Sequence, residues 1–180
     1  MQNDEYIKTF EIEGLLEINR PTFPDDRGFF KETVRISHLN KLINKEFKIV
    51  QVNHARSFKN ALRGIHIAPW NKLIYVTRGT VQAVIVDLRK DSKTFGKYQS
   101  FIIGEDNKAS IFVPKGCGNA YLVLSSDADY TYLTDQEWAE NMEHGIAWND
   151  PDLNIDWKLD GEPVLSDKDK DNASFKSLLK

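Results

Sequence analysis

Arg63, His66 and Lys72 cluster around the segment Ala61-Leu62-Arg63-Gly64-Ile65-His66 and the apolar run Leu73-Ile74-Tyr75-Val76-Thr77. They bring a permanent cation, a group that titrates near neutrality and a second cation to one strand. Gly64 separates the first two, and a residue without Cβ lets the backbone bend or a ligand come close. These residue types offer an anion-binding pocket with His66 as general base. The same spacing fits a buried, hydrogen-bonded histidine beside two surface cations, and spacing alone leaves both readings open.

Other side chains could complete such a pocket. Gln51 and Asn53 lie two apart, so on a strand they share a face. Buried there, the two amides must bond each other or a polar ligand. Tyr130 and Tyr132 share a face in the same way, with Thr131 on the other. Strand aromatics ordinarily pack, yet a phenol opposite a base is a usable acid. Ser166-Asp167-Lys168-Asp169 is a charged run, solvated surface by default, from which either aspartate could reach back to orient a histidine. The four histidines are His38, His54, His66 and His144, and Ile67, Ala68, Pro69 and Trp70 follow the third. None supplies a second ligand at metal spacing, so no bound metal is expected. Cys117 is the lone cysteine. It excludes an internal disulfide, fits a reducing cytoplasm, and reads as a small residue in a turn between Gly116 and Gly118 rather than a nucleophile.

These residues need a scaffold, and the patterning points to strands. From residue 48 the segments Lys48–Asn53, Ala61–Ile67, Leu73–Thr77, Thr80–Leu88, Tyr98–Ile103, Ala109–Val113, Ala120–Leu124 and Asp129–Thr134 read as strands. Arg78-Gly79, Gly104-Glu105-Asp106-Asn107 and Pro114-Lys115-Gly116 mark turns between them. Residues 9–19 alternate as a strand with a glycine break, Phe23–Gly28 has turn chemistry, and Phe29–Val34 resumes strand character. Ser37 is placed to cap a short helix with Leu39, Leu42 and Ile43 on its apolar face. Trp148 reads as a core anchor, and Phe175, Leu178 and Leu179 fit a final helical turn. The expected architecture is an all-β sandwich or barrel in one domain over residues 1–180, with a tail from 150 to 180 wrapping the surface.

Composition narrows the partners. The chain has 180 residues, is 41% hydrophobic and 28% charged, and carries a net charge of −3 from 24 cations and 27 anions. No basic stripe calls for nucleic acid. No apolar run reaches membrane-span length, and the start Met1-Gln2-Asn3-Asp4-Glu5 does not read as a signal peptide. The expectation is a cytoplasmic protein without nucleic-acid or membrane partners.

Several stretches occur in a specific order: Asp26-Arg27-Gly28-Phe29-Phe30-Lys31-Glu32, Gln51-Val52-Asn53-His54, Leu62-Arg63-Gly64-Ile65-His66 and Lys72-Leu73. Val86-Asp87-Leu88-Arg89, Ser92-Lys93-Thr94-Phe95-Gly96, Val113-Pro114-Lys115-Gly116 and Tyr121-Leu122-Val123-Leu124-Ser125 follow. Tyr132, Gly145-Ile146-Ala147-Trp148-Asn149-Asp150-Pro151 and Leu165-Ser166-Asp167-Lys168-Asp169 complete the series. In this order, over about residues 10 to 170, the chain resembles the dTDP-4-dehydrorhamnose 3,5-epimerase family of sugar-nucleotide epimerases.

That resemblance implies a cupin-type β jelly roll with a few short peripheral helices, working as a homodimer that exchanges N-terminal strands up to about residue 35. It implies no metal and no redox cofactor, and a nucleotide-diphosphate 4-keto sugar as substrate. His66 takes the place of the base, Asp169 of its carboxylate partner, Tyr132 of the acid, and Lys72 of the cation at the developing oxyanion. Arg63 takes a substrate-binding place, Gln51 and Asn53 take polar places in the pocket, and Phe23, Arg27 and Glu32 fall on the segment that reaches the neighbouring subunit's nucleotide. The chemistry agrees: hydrogens beside a ketone are acidic, a cation stabilises the enolate, and inversion needs a proton from the opposite face. The chain departs from the family pattern at Asn119, where many members have histidine, and at Ile67-Ala68 in place of Tyr-Gln. The loop to Asn71 is short, and Glu137-Trp138 replaces an aromatic pair. The sugar end of the pocket, with Asn119 and Trp138, is thus altered. A non-catalytic sugar-nucleotide-binding jelly roll and a 4-keto to 3-keto isomerase are the alternative readings.

Overall fold

The computed structural model describes residues 5–140 and 142–179, so the reading of the first four residues as no part of a signal peptide lies outside it. Thirteen strands are present among the described residues: β1 Ile7–Thr9, β2 Leu16–Ile18, β3 Thr22–Asp25, β4 Gly28–Lys31, β5 Gln51–Phe58, β6 Leu62–Ile67, β7 Lys72–Arg78, β8 Thr80–Asp87, β9 Tyr98–Gly104, β10 Ser110–Val113, β11 Cys117–Val123, β12 Asp127–Thr134 and β13 His144–Gly145. Helix α1 spans Ile36–Ile43, α2 spans Asp167–Lys170, and a 3₁₀ helix covers Phe175–Leu179. The strands form a six-stranded sheet ordered β1-β2-β10-β7-β12-β5, a five-stranded sheet ordered β13-β6-β11-β8-β9, and the separate hairpin β3-β4. Every strand pair within these sheets is antiparallel. This is a cupin-type jelly roll.

Side-chain alternation assigns three apolar layers. Ile74, Val76, Val81, Ala83, Ile85, Ile111, Val113, Tyr121 and Tyr130 fill the space between the sheets. Their strand neighbours Val84, Val86 and Ala120 point the other way and meet Leu153, Phe175 and Trp157 of the tail. On the far side Leu16, Ile18, Leu73 and Phe112 meet Leu39 of α1 and Phe47. β8 is therefore covered on both faces, which is why it reads as a nearly unbroken apolar run. Its one amide, Gln82, is fully buried. It donates to Ser100 Oγ at 3.0 Å and the Asp156 carbonyl at 2.8 Å, and accepts from Lys158 N at 2.7 Å, which ties the tail to the sheet.

Local readings of the sequence are corrected in several places. The stretch 9–19 is two strands, β1 and β2, paired around a turn in which Gly14 takes φ +83°. Phe23–Gly28 is mostly strand: β3 pairs with β4 across a tight turn at Asp26-Arg27. β5 begins at Gln51 rather than Lys48 and runs on to Phe58, because β12 offers it partners from Thr134 to Asp127. Arg35, not Ser37, is the N-cap of α1, and it makes no side-chain cap hydrogen bond. Leu42 is exposed, so the buried face of α1 rests on Leu39. Cys117 is the first residue of β11, not a turn residue, and burial pushes its thiol up to about 12. Gly116 makes the turn at φ +81°. Trp148 is only partly buried, and Ile146 and Asp150 are the anchored residues of that loop. No helix among the described residues is long and apolar enough to cross a membrane.

Candidate active site

The proposed base and its carboxylate meet. His66 on β6 has Asn119 of β11 and Gly145 of β13 as its cross-strand neighbours. Its Nε2 lies 2.6 Å from Asp169 Oδ1. Asp169 arrives on α2, where Ser166 is the N-cap. Ser166 Oγ donates to Asp169 Oδ2 at 2.9 Å and accepts from Asp169 N at 3.1 Å, a reciprocal cap that fixes the carboxylate. Asn172 Nδ2 adds a bond to Oδ1 at 3.3 Å. Any Cβ at Gly145 would run into the Asn172 amide, so the glycine keeps that place open. Burial pushes the Asp169 carboxyl up. Bonds from His66, Ser166 and Asn172 more than offset this and hold it below the usual carboxylate range. In a neutral imidazole, an anionic acceptor favours the proton on Nε2 and leaves the lone pair on Nδ1.

The phenol and the cation come from the other sheet. Tyr132 on β12 pairs with Asn53 of β5 and Ile74 of β7. Burial raises its pKa, Glu143 and Tyr121 push the same way, and Arg63 opposes them, so the phenol keeps its proton. Lys72 opens β7 with its side chain 7% exposed, its Nζ 5.5 Å from the centre of the Tyr132 ring and 3.5 Å from Glu143 Oε1. Burial lowers the Lys72 pKa and Glu143 counters it. Glu143 Oε2 also lies 3.9 Å from Lys168 Nζ.

Polar groups extend the site on both sides. Arg63 Nε donates to Ser57 Oγ at 3.0 Å, and that hydroxyl lies 3.1 Å from Tyr121 OH. Gln51 Nε2 donates to Asn53 Oδ1 at 2.7 Å, and Gln51 Oε1 accepts from Trp138 N at 2.8 Å. Asn119 Nδ2 donates to Tyr130 OH at 3.2 Å, so the residue beside His66 is occupied by the core tyrosine. Gln51, Asn53, Trp70, Tyr132, Thr134 and Trp138 line a cavity of about 350 Å³.

The structure thus joins His66 to Asp169, sets Lys72 beside Tyr132, and puts Gln51, Asn53, Tyr132 and Trp138 on one cavity, while Asn119 is the cross-strand neighbour of His66 and Arg63 bonds Ser57. It does not bring Phe23, Arg27 or Glu32 to them. Phe23 is 58% exposed on the β3–β4 hairpin, Arg27 pairs with Asp25 at 2.7 Å, and Glu32 pairs with Arg20 at 2.6 Å and Arg35 at 2.7 Å. Sequence reasoning missed Glu143, Lys168, Ser57, Asn172 and Trp70. The spacing Ser166-x-x-Asp169 was a usable signal for the capped helix. The other contacts span strands or loops far apart in the chain.

Comparison with known proteins fits this geometry. The pattern of the dTDP-4-dehydrorhamnose 3,5-epimerase family matches residues 9–177. The chain belongs to this family. It is 37% identical over 174 residues to the dTDP-4-dehydrorhamnose 3,5-epimerase of Escherichia coli (strain K12), covering 94% of each chain. It superposes with a TM-score of 0.90 on the dTDP-6-deoxy-D-glucose-3,5-epimerase of Legionella pneumophila in complex with dTDP-4-keto-L-rhamnose, at 34% identity, covering 94% of this chain and 92% of that one. It superposes at 0.89 on ChmJ, a 3'-monoepimerase of Streptomyces bikiniensis in complex with dTDP-quinovose, at 33% identity, covering 93% and 86%. Proteins described as 3,5-epimerases and as a 3'-monoepimerase thus match this chain at similar identity.

Proposed function

We propose that the protein inverts carbon 3, carbon 5 or both of a dTDP-linked 4-keto-6-deoxy sugar, in the cytoplasm, on the way to a deoxysugar of surface polysaccharide. One observation carries the reading: His66 and Tyr132 stand on different sheets, with Lys72 beside the tyrosine ring. His66 Nδ1 removes the proton from the carbon next to the ketone. The C–H electron pair becomes the enolate double bond and the carbonyl π pair moves to oxygen. Lys72 stabilises that charge, and Glu143 sustains the lysine's own charge. Tyr132 then delivers its proton to the opposite face of the carbon, and solvent restores both groups. A proton leaves and a proton returns, so the sum involves no redox change and needs neither redox cofactor nor metal. Family membership supports the dTDP-sugar substrate.

The working unit in this reading is a homodimer of one catalytic domain per chain, with no nucleic-acid or membrane partner. Phe23 and Arg27 sit on the β3–β4 hairpin and Glu32 directly follows it, and exchange between protomers brings them to the neighbour's nucleotide. The test is incubation of dTDP-4-keto-6-deoxyglucose with the protein in deuterated water. Deuterium at carbon 3 or 5 with inverted configuration is the expected result. Exchange without inversion and a ketone moved to carbon 3 would point to the isomerase instead, and no exchange at all would leave a binding protein.

A further inference from the structure

We propose that Trp70 is a specificity-determining residue: its indole N–H, together with the Asn53 side-chain amide, grips one oxygen of the substrate's sugar ring. This rests on the epimerase reading above. Trp70 Nε1 and Asn53 Nδ2 are both shut off from solvent and have no hydrogen-bond partner. Their residues line the same cavity, together with Tyr132. An N–H sealed from water without an acceptor is destabilising, and folded chains rarely keep one without cause. Two unmet donors on residues lining one cavity call for an acceptor there.

The surroundings say what that acceptor is. A phosphate oxygen is ordinarily met by arginine or lysine, and no cation lines this cavity. Two neutral donors suit a hydroxyl or carbonyl oxygen. Asn53 is the cross-strand neighbour of Tyr132, so an oxygen held there sits on the ring whose carbon the phenol protonates. The Asn53 amide is fixed, because Gln51 Nε2 occupies its Oδ1 and leaves Nδ2 over. Trp70 is fixed as well, on the short loop between β6 and β7. Asn71 N and Nδ2 donate to the two Asp135 carboxylate oxygens at 2.9 and 2.5 Å. Asn71 Oδ1 accepts from Lys115 N at 2.9 Å, and the Ala68 carbonyl accepts from Gly116 N at 3.1 Å. Trp70 is thereby held at 4% exposure. The oxygen reaches the two nitrogens when the wall gives way, and Trp138, 55% exposed, is the wall residue with the most room to swing.

The test is nuclear magnetic resonance of the whole chain with nitrogen-15 in its indoles, four in number. The Trp70 signal is assigned by its loss in Trp70→Phe, or by elimination with the other three variants if that one fails to fold. Saturation with dTDP-glucose, an unreactive analogue, is expected to move the Trp70 N–H downfield and slow its exchange, while dTDP alone leaves it in place. No shift with dTDP-glucose, or an equal shift with dTDP, overturns the proposal. In turnover, Trp70→Phe is expected to lower kcat/KM about three- to tenfold, the worth of one neutral hydrogen bond, with inhibition by dTDP unchanged. An unchanged kcat/KM counts against it. Normal turnover of the 4-keto substrate with an unmoved Trp70 signal sinks this proposal and leaves the epimerase reading standing, whereas absence of solvent exchange sinks that reading itself.

Discussion

His66 Nε2 and Asp169 Oδ1 lie 103 residues apart in the chain and 2.6 Å apart in space. The carboxylate is almost fully buried and is bonded by Ser166 and Asn172 as well. Its charge is thus fixed in place before any ligand arrives, and the imidazole has one orientation to adopt.

Replacing the base and the acid should have different signatures. His66→Asn is expected to abolish both deuterium uptake and inversion, because the enolate never forms. Tyr132→Phe is expected to keep uptake and lose most inversion. Asp169→Asn should fall between them, since it disturbs the orientation and charge of the histidine but leaves it present. Losses of about 100- to 10,000-fold are typical for general acid–base groups. Near-normal uptake in His66→Asn would require a different base.

Ser166 and Asn172 act through Asp169. Ser166→Ala and Asn172→Ala remove bonds that lower the Asp169 pKa, so that pKa should rise. The carboxylate then holds the imidazole less firmly, and kcat is expected to fall with KM little changed. Asp167→Ala is the control: it breaks the Lys170 pair of the same helix, 2.8 Å long, without touching Asp169. If that control lowers kcat equally, the effect belongs to the helix and not to the carboxylate.

Asp87 anchors stability away from the site. Its side chain is fully buried and accepts from Arg89 Nε at 2.8 Å, Ser92 Oγ at 2.5 Å and Thr94 Oγ1 at 2.6 Å. Burial pushes its carboxyl up, but Arg89, Ser92 and Thr94 together hold it far below the usual range. Asp87→Asn should cost about 2–3 kcal/mol at pH 7, a loss typical of bonds to a charged acceptor. A depressed folded-state pKa stabilises fully above the unfolded carboxylate value of about 4, fades as pH falls below it, and is gone below the folded-state value. Urea midpoints of the two proteins should therefore converge on acidification, and a constant gap from pH 7 to 3 would contradict this.

The β3–β4 hairpin offers a test of assembly. Light scattering is expected to give a dimer, and Arg27→Ala should weaken nucleotide binding while leaving the melting temperature near that of the parent chain. A fully active monomer would show that the hairpin has no part in the site.

Chelation offers a fifth contrast. Among the described residues no cluster of three metal-ligating side chains occurs. Extensive treatment with a chelator is expected to leave turnover unchanged, and a loss restored by one divalent metal would refute the metal-free mechanism.

The long strands were legible because their signal is local. β8 and β12 alternate or run apolar over eight residues each, enough to fix type and place. β1 and β2 have three residues each, β1 held by β2 and β2 by β10, so sequence pattern merges them. Cys117 looked like a turn residue because glycines flank it. Gly118 is instead a strand residue whose added Cβ would strike Ile65 and Leu88. In the site, Arg63, His66 and Lys72 were visible as a group because they lie within ten residues of one another, on the successive strands β6 and β7, although those strands belong to different sheets. Asp169 could be placed only by family resemblance, since no spacing rule reaches across 103 residues. Glu143 was invisible for the same reason: its partners Lys72 and Lys168 lie on β7 and α2.

The last paired strand ends at Gly145, and α2 begins only at Asp167. A chain leaving the ribosome from its N-terminus exposes both sheets before it exposes Asp169 and Lys168. In that interval the nascent protein holds the imidazole and the phenol, but not the carboxylate that sets the tautomer. The segment after Gly145 also brings Leu153, Trp157 and Phe175 to the outer face of β8 and the Asp156 and Lys158 backbone to Gln82, so it completes the core and the site together. Truncation before α2 thus differs from a point change at Asp169: the first strips apolar cover from β8, while the second removes one carboxylate and leaves that layer closed.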